Sequence, residues 1–200
     1  MQSETSDPGA VGFAGFGMTT FTLQMQNIGL LEGTGPIIWL GFFVGGLAQF
    51  IAGLQAFKSG NNFGYSAFTI YGVFWLAFCG LLTGNELGFF ESTPADMGWF
   101  TVPFAIYSAI LMYAALHNTL QDAITSISLN IGLALSLLGS FVDPAFMVAS
   151  GYALTITSLS ALYSFAAIIY KEALGREVLP KGQPLLCASK PMPPKLKSVA

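Results

Sequence analysis

Hydrophobic residues run through this chain in six stretches of about 20, each ended by a short polar joint. A helix needs about 20 apolar residues to cross a bilayer core. The pattern therefore predicts membrane-spanning helices at 11–31, 36–57, 64–83, 99–117, 123–142 and 148–170. Pro8, Pro36, Pro94 and Pro144 fall just before these helices or at their starts, where a missing N–H costs nothing. Pro103 falls in the first turns of the fourth span, where it can bend the helix. After Lys171 the chain turns polar and rich in Pro and Lys, which predicts a short amphipathic stretch, GREVLP, and then a disordered tail. The expected fold is an all-α integral membrane domain: an N-terminal cytoplasmic segment (1–10), six transmembrane helices (11–171) and a cytoplasmic C-terminal tail (172–200).

Charge fixes the expected orientation. One set of ends and joints holds all seven basic residues, Lys58, Lys171, Arg176, Lys181, Lys190, Lys195 and Lys197. The other set holds only acids: Glu32, Glu86, Glu91, Asp96 and Asp143. Lys and Arg near span ends stay in the cytoplasm, so both termini are expected there, in a multi-pass protein of the plasma membrane.

Composition removes several classes of function. Of 200 residues, 54% are hydrophobic and 8% charged, whereas soluble domains carry about 25% charged residues. No basic footprint for nucleic acid exists. Cys79 falls within a span and Cys187 in the tail, so the two are not expected to pair. Neither metal-ligand spacing nor a cofactor motif is present, and no cofactor is expected. The N-terminus MQSETSDPG lacks Lys and Arg, unlike a cleavable signal peptide, so the first span is expected to start insertion.

Chemistry inside the spans is limited to hydroxyls, amides and aromatic rings. Proton relays and voltage sensors carry buried charges, yet no Asp, Glu, Lys, Arg or His occupies a predicted membrane centre. In span one, Phe16, Thr20, Gln24 and Asn27 share a helical face with Thr19 beside it, so a polar ladder rises from an aromatic ring. In span two, Gly41, Gly45, Gln49 and Gly53 recur every four residues, a stripe that lets helix backbones approach closely. Gln49 either bonds to a neighbour there or lines a polar path. In span three, Tyr71 and Trp75 are four apart near mid-membrane; in span five, so are Ser126 and Asn130. Each also has a packing role open to it, since mid-span hydroxyls bond back to their own helix and amides tie helices together. The glycine-rich start of span one, DPGAVGFAGFG, is a further place where backbone N–H groups could meet an anion.

Several of these segments carry a resemblance. DPGAVGFAGFGMTT (Asp7–Thr20) resembles the start of the acetate uptake transporter family, the acetate/succinate permeases also called GPR1/FUN34/YaaH. GGLAQFIAG (Gly45–Gly53), GNNFGYSAFT (Gly60–Thr69), YGVFW (Tyr71–Trp75) and GREVLP (Gly175–Pro180) follow in the family's order, over about residues 7–183. One departure is plain: the family's NPAPLGL reads DPGAVGF here (Asp7–Phe13), with Asp for Asn and Ala10 for the second Pro. The resemblance implies six transmembrane helices, a homo-hexamer in the lipid bilayer, and a pore in each protomer for acetate and, in some members, succinate. It also implies a hydrophobic constriction at Phe16, Tyr71 and Leu129.

The resulting expectation is transport of small monocarboxylates past that constriction. Thr19, Thr20, Asn27, Gln49, Ser126 and Asn130 would supply polar contacts. Transport would be proton-linked through the substrate's own carboxyl group, since a dehydrated anion is costly to bury. A channel for a neutral small solute or ammonia would need the same pore. GYSA (Gly64–Ala67) also faintly resembles a rhomboid-type serine protease, with Ser66 as nucleophile and His117 as base. No enzymatic activity is expected.

Overall fold

The computed structural model describes residues 6–186; Cys187, the tail lysines Lys190, Lys195 and Lys197, and the rest of the expected disordered tail lie outside the described residues. All regular elements among the described residues are helices. They form six rods: α1 (Gly9–Asn27), α2 (Gly35–Lys58), α3 (Asn62–Glu86), α4 (Pro94–Ala115), α5 (Leu120–Phe141) and α6 (Ala145–Leu174). Five of them, α2 to α6, are long and apolar enough to cross a membrane. In α1, the glycines together with Gln24, Gln26 and Asn27 hold the hydropathy down.

Local chemistry sets where each rod begins and ends. Thr93 and Asp96 cap α4 reciprocally, and Pro94 opens it without wasting a donor. The helix then runs through Pro103 to Ala115 as one element. Asn61 and Thr119 cap α3 and α5 by accepting from Gly64 N and Asp122 N. The expected first span ran on to residue 31, but α1 stops at Asn27 because Gly29 takes a left-handed turn, φ 79°. Rod α2 is not uniform. Its middle, Gly41–Ala48, is π-helical between α-helical Gly35–Leu40 and Gln49–Lys58.

Each rod packs beside the next, and α6 returns to α1, so the six close into a ring. Helix α1 lies inward, touching α2, α3 and α6. Lys58, Lys171 and the stretch after α6 gather at one end, here the basic end. The opposite, acidic end is tied by Thr34 Oγ1 donating to Glu86 at 2.7 Å. Relative to a soluble protein, the burial is inverted. Fully enclosed side chains include Thr19, Gln24, Gln49, Ser108, Thr157 and Ser164, while Trp39, Phe43, Ile106, Ile110 and Tyr113 face outward. Small residues let the rods approach: a Cβ on Gly45 would lie 2.6 Å from Thr19 Oγ1. The closest polar seam joins α5 and α6. There Thr157 donates to Ser128 at 2.8 Å, Thr125 and Ser160 share a bond of 2.7 Å, and Ser150 donates to Gly132 O at 2.8 Å.

Residues 175–186, which take in the expected GREVLP stretch, are fixed to the helices. Gly175 leaves the helix in the left-handed conformation at φ 64°. The segment then returns across the basic end, held by three hydrogen bonds of 2.9 Å: Tyr163 Oη to Pro180 O, Gln121 N to Lys181 O, and Leu186 N to Leu116 O.

Candidate functional site

Two small cavities lie in the middle of the ring, and the same three side chains wall both: Phe16 of α1, Tyr71 of α3 and Leu129 of α5. The cavity toward the basic end measures about 50 Å³ and also takes in Phe13, Gln49, Phe68, Asp122 and Ser126. Toward the acidic end the other measures about 60 Å³ and takes in Thr20, Gln24, Trp75, Phe104 and Leu154. Each is several times the ~10–15 Å³ that holds one water. A wider vestibule of about 280 Å³ opens at the basic end, sharing Phe13, Phe63, Phe68 and Asp122 with the inner cavity. Vestibule, cavity, three-residue layer and second cavity follow one another along the ring.

The layer between the cavities is built by helix periodicity and cross-helix contact. Phe16 and Leu129 are buried, at 8% and 9% exposure, in one cluster with Leu154 and Ala161, and Tyr71 packs against it. The rings of Phe16 and Tyr71 have centroids 5.6 Å apart at an interplanar angle of 40°. Tyr71 Oη shares a 2.7 Å hydrogen bond with Ser108 Oγ of α4, which is itself buried. Tyr107 stands edge-on to Tyr71 at 6.2 Å and donates to Ser66 O at 3.0 Å. The ring is therefore held from two sides.

The polar residues singled out in the sequence divide into three groups. Gln49, Ser126 and Thr20 line the cavities. Gln49 is fully buried beside the inner cavity, and neither its amide oxygen nor its nitrogen has a hydrogen-bond partner. Asn27 reaches the path only through a neighbour, donating to Gln24 Oε1 at 2.8 Å. Thr19 and Asn130 point elsewhere. Thr19 lies against Gly45 and turns its hydroxyl toward Leu40 O at 3.4 Å; Asn130 Nδ2 ties α5 to α4 by donating to Ser108 O at 3.3 Å.

Other residues enter the site without having been selected. Phe13 stands three positions before Phe16, on the same helical face, so the periodicity that found Phe16 extends to it. Asp122, one residue before the expected fifth span, lines both the vestibule and the inner cavity. Ser108 and Phe68 gave no signal, because a lone hydroxyl or ring in an apolar helix does not reveal its partner. The start of α1 does not offer an open anion site: Asp7 Oδ1 already accepts from Gly9 N at 2.8 Å. Its glycines serve close packing, Gly12 against Phe68 and Gly17 against Leu162. No hydrogen bond among the described residues joins Ser66 to His117, whose ring lies against Tyr113, so the protease arrangement is not assembled.

Comparison with known proteins places this geometry among transporters. The family described as GPR1/FUN34/yaaH matches residues 1–180. The succinate-acetate/proton symporter SatP of Escherichia coli (strain K12) is 32% identical over 183 residues, spanning 90% of this chain and 97% of that protein. Acetate permease A of Emericella nidulans is 32% identical over 160 residues, spanning 72% of this chain and 48% of that protein. A solved structure of the bacterial acetate channel SatP aligns with TM-score 0.86 and 32% identity, covering 90% of this chain and 100% of that chain.

Proposed function

Since the chain belongs to the GPR1/FUN34/yaaH family, we propose that it transports small carboxylates, the monocarboxylate acetate and also the dicarboxylate succinate, across the membrane through one narrow passage in each protomer. The observation that carries the reading is the pair of cavities facing each other across Phe16, Tyr71 and Leu129. A carboxylic acid leaves the vestibule, meets the amide of Gln49 and the hydroxyl of Ser126, and crosses the neck. Thr20 and Gln24 receive it on the far side, where Asn27 orients Gln24. Thr19 and Asn130 support the walls rather than the cargo.

The neck is apolar, and a bare carboxylate would cross it at high cost. Among the described residues the outer cavity has no ionisable carboxylate or amine in its walls, and the one carboxylate of the inner cavity, Asp122, stays on the basic-end side of the neck. The substrate therefore brings its own proton and crosses as the neutral acid. Charge segregation supports a cytoplasmic basic end, with both termini inside and all six rods spanning the plasma membrane. The outward rings and aliphatic groups of α2 and α4 suit lipid and neighbouring copies in a homo-hexamer.

Uptake of radiolabelled acetate into proteoliposomes, with succinate and ammonium as competitors, tests the reading. Saturable acetate uptake that succinate inhibits is expected. Uptake no faster than in protein-free liposomes would overturn it, and ammonium flux without acetate flux would assign the passage to a neutral solute.

A further inference from the structure

The segment after α6 carries a charged group to a defined place. Its hydrogen bonds hold the backbone of Pro180, Lys181 and Leu186 against α6, α5 and the end of α4. A second left-handed glycine, Gly182 at φ 72°, completes the turn against Leu120. Lys181 thereby joins the vestibule wall beside Asp7, Asn61, Asn118 and Asp122. Its ammonium lies 5.3 Å from the centroid of the Phe13 ring, and Phe13 borders both the vestibule and the inner cavity. Among the described residues that wall the vestibule and the two cavities, Lys181 is the only basic one.

We propose that Lys181 is a specificity-determining residue that recruits ionised small carboxylates to the basic-end mouth. This rests on the transport reading and adds a selection step to it. Asp7 and Asp122 share the vestibule wall with the ammonium, and the Phe13 ring attracts it to the doorway. An arriving acetate becomes its partner there, then takes a proton from the water of the vestibule and enters the neck as the neutral acid. A cation on the wall of the mouth attracts anions to it, and salt weakens the effect. A neutral solute gains nothing from it.

The strap is fixed through the backbone carbonyl of Lys181, so changing the side chain leaves its attachment intact. The test is the initial rate of radiolabelled acetate flux from the basic end in proteoliposomes of one orientation. Wild type, Lys181→Gln and Lys181→Arg are compared at low and high ionic strength. Lys181→Gln is expected to raise the half-saturating acetate concentration about three- to tenfold at low salt, the size of one charge contact near water. Lys181→Arg should restore it, and high salt should bring wild type and Lys181→Gln together. An unchanged half-saturation in Lys181→Gln, a faster flux at every concentration, or failure of Lys181→Arg to rescue would each overturn the proposal. Absence of flux in wild type would instead sink the transport reading.

Discussion

Tyr71 Oη and Ser108 Oγ lie 2.7 Å apart, and that single bond ties the ring closing the neck to α4. Helix α4 buries only Gly98, Ser108 and Ala115, so Ser108 is one of its few fixed points in the ring of helices. Ser108→Ala is expected to lower stability by about 1 kcal/mol, since a buried phenol loses its partner. Thermal unfolding in detergent measures this, and an unchanged Tm would show that Tyr71 finds another hydrogen-bond partner.

Phe16→Ala and Tyr71→Ala should each widen the neck and admit larger carboxylates such as lactate. Removing a ring from a cluster this enclosed also costs about 3–5 kcal/mol, so both variants need a stability check before transport is read. The readout is the ratio of lactate to acetate uptake. If neither substitution raises that ratio, the gate lies elsewhere in the passage.

Gln49 offers a test that separates structure from transport. Its buried amide makes no hydrogen bond, which in a purely structural residue is a cost of about 1–3 kcal/mol. Gln49→Leu should therefore leave the melting temperature equal or higher while lowering acetate flux several-fold. A variant both less stable and equally active would make Gln49 a structural residue after all.

Proton coupling through the substrate makes a pH prediction without any titrating side chain in the neck. Well above the carboxyl pKa, each unit of acidification raises the neutral acid about tenfold. Acetate uptake at fixed total acetate should climb steeply as the outside is acidified, and an inward proton gradient should drive accumulation. Equal flux with and without the gradient refutes coupling.

On the α5–α6 seam, Thr157→Val removes the donor to Ser128 at 2.8 Å. Polar contacts between membrane helices are worth about 0.6–1.7 kcal/mol, so a fall in stability of that size is expected. Neither residue lines the passage, and the acetate-to-lactate ratio should not move.

The helical rods and their charge segregation were legible because span length and the Lys/Arg distribution obey the bilayer directly. The site was legible where a helical face carried it: Phe16 and Thr20 follow from the 3.6-residue period of α1. Partner choice was not. Thr19 and Thr20 are adjacent and chemically identical, yet one meets Gly45 and the other a cavity, because that depends on which neighbour α2 presents. The returning strap was hidden for a different reason. A Pro- and Lys-rich stretch looks unstructured by composition, while its anchors are backbone atoms, which composition does not report.

The π-helical stretch Gly41–Ala48 ends at Gln49, whose backbone N–H reaches back five residues to Val44 O. A wide coil of this kind takes more residues per turn than the ~3.6 of an α-helix, so a chain one residue shorter here can close to α-helical pitch while the flanking helix, Gln49 included, keeps its facing. A homologue one residue shorter in this stretch has to be aligned by the phase of the turn rather than by letter count.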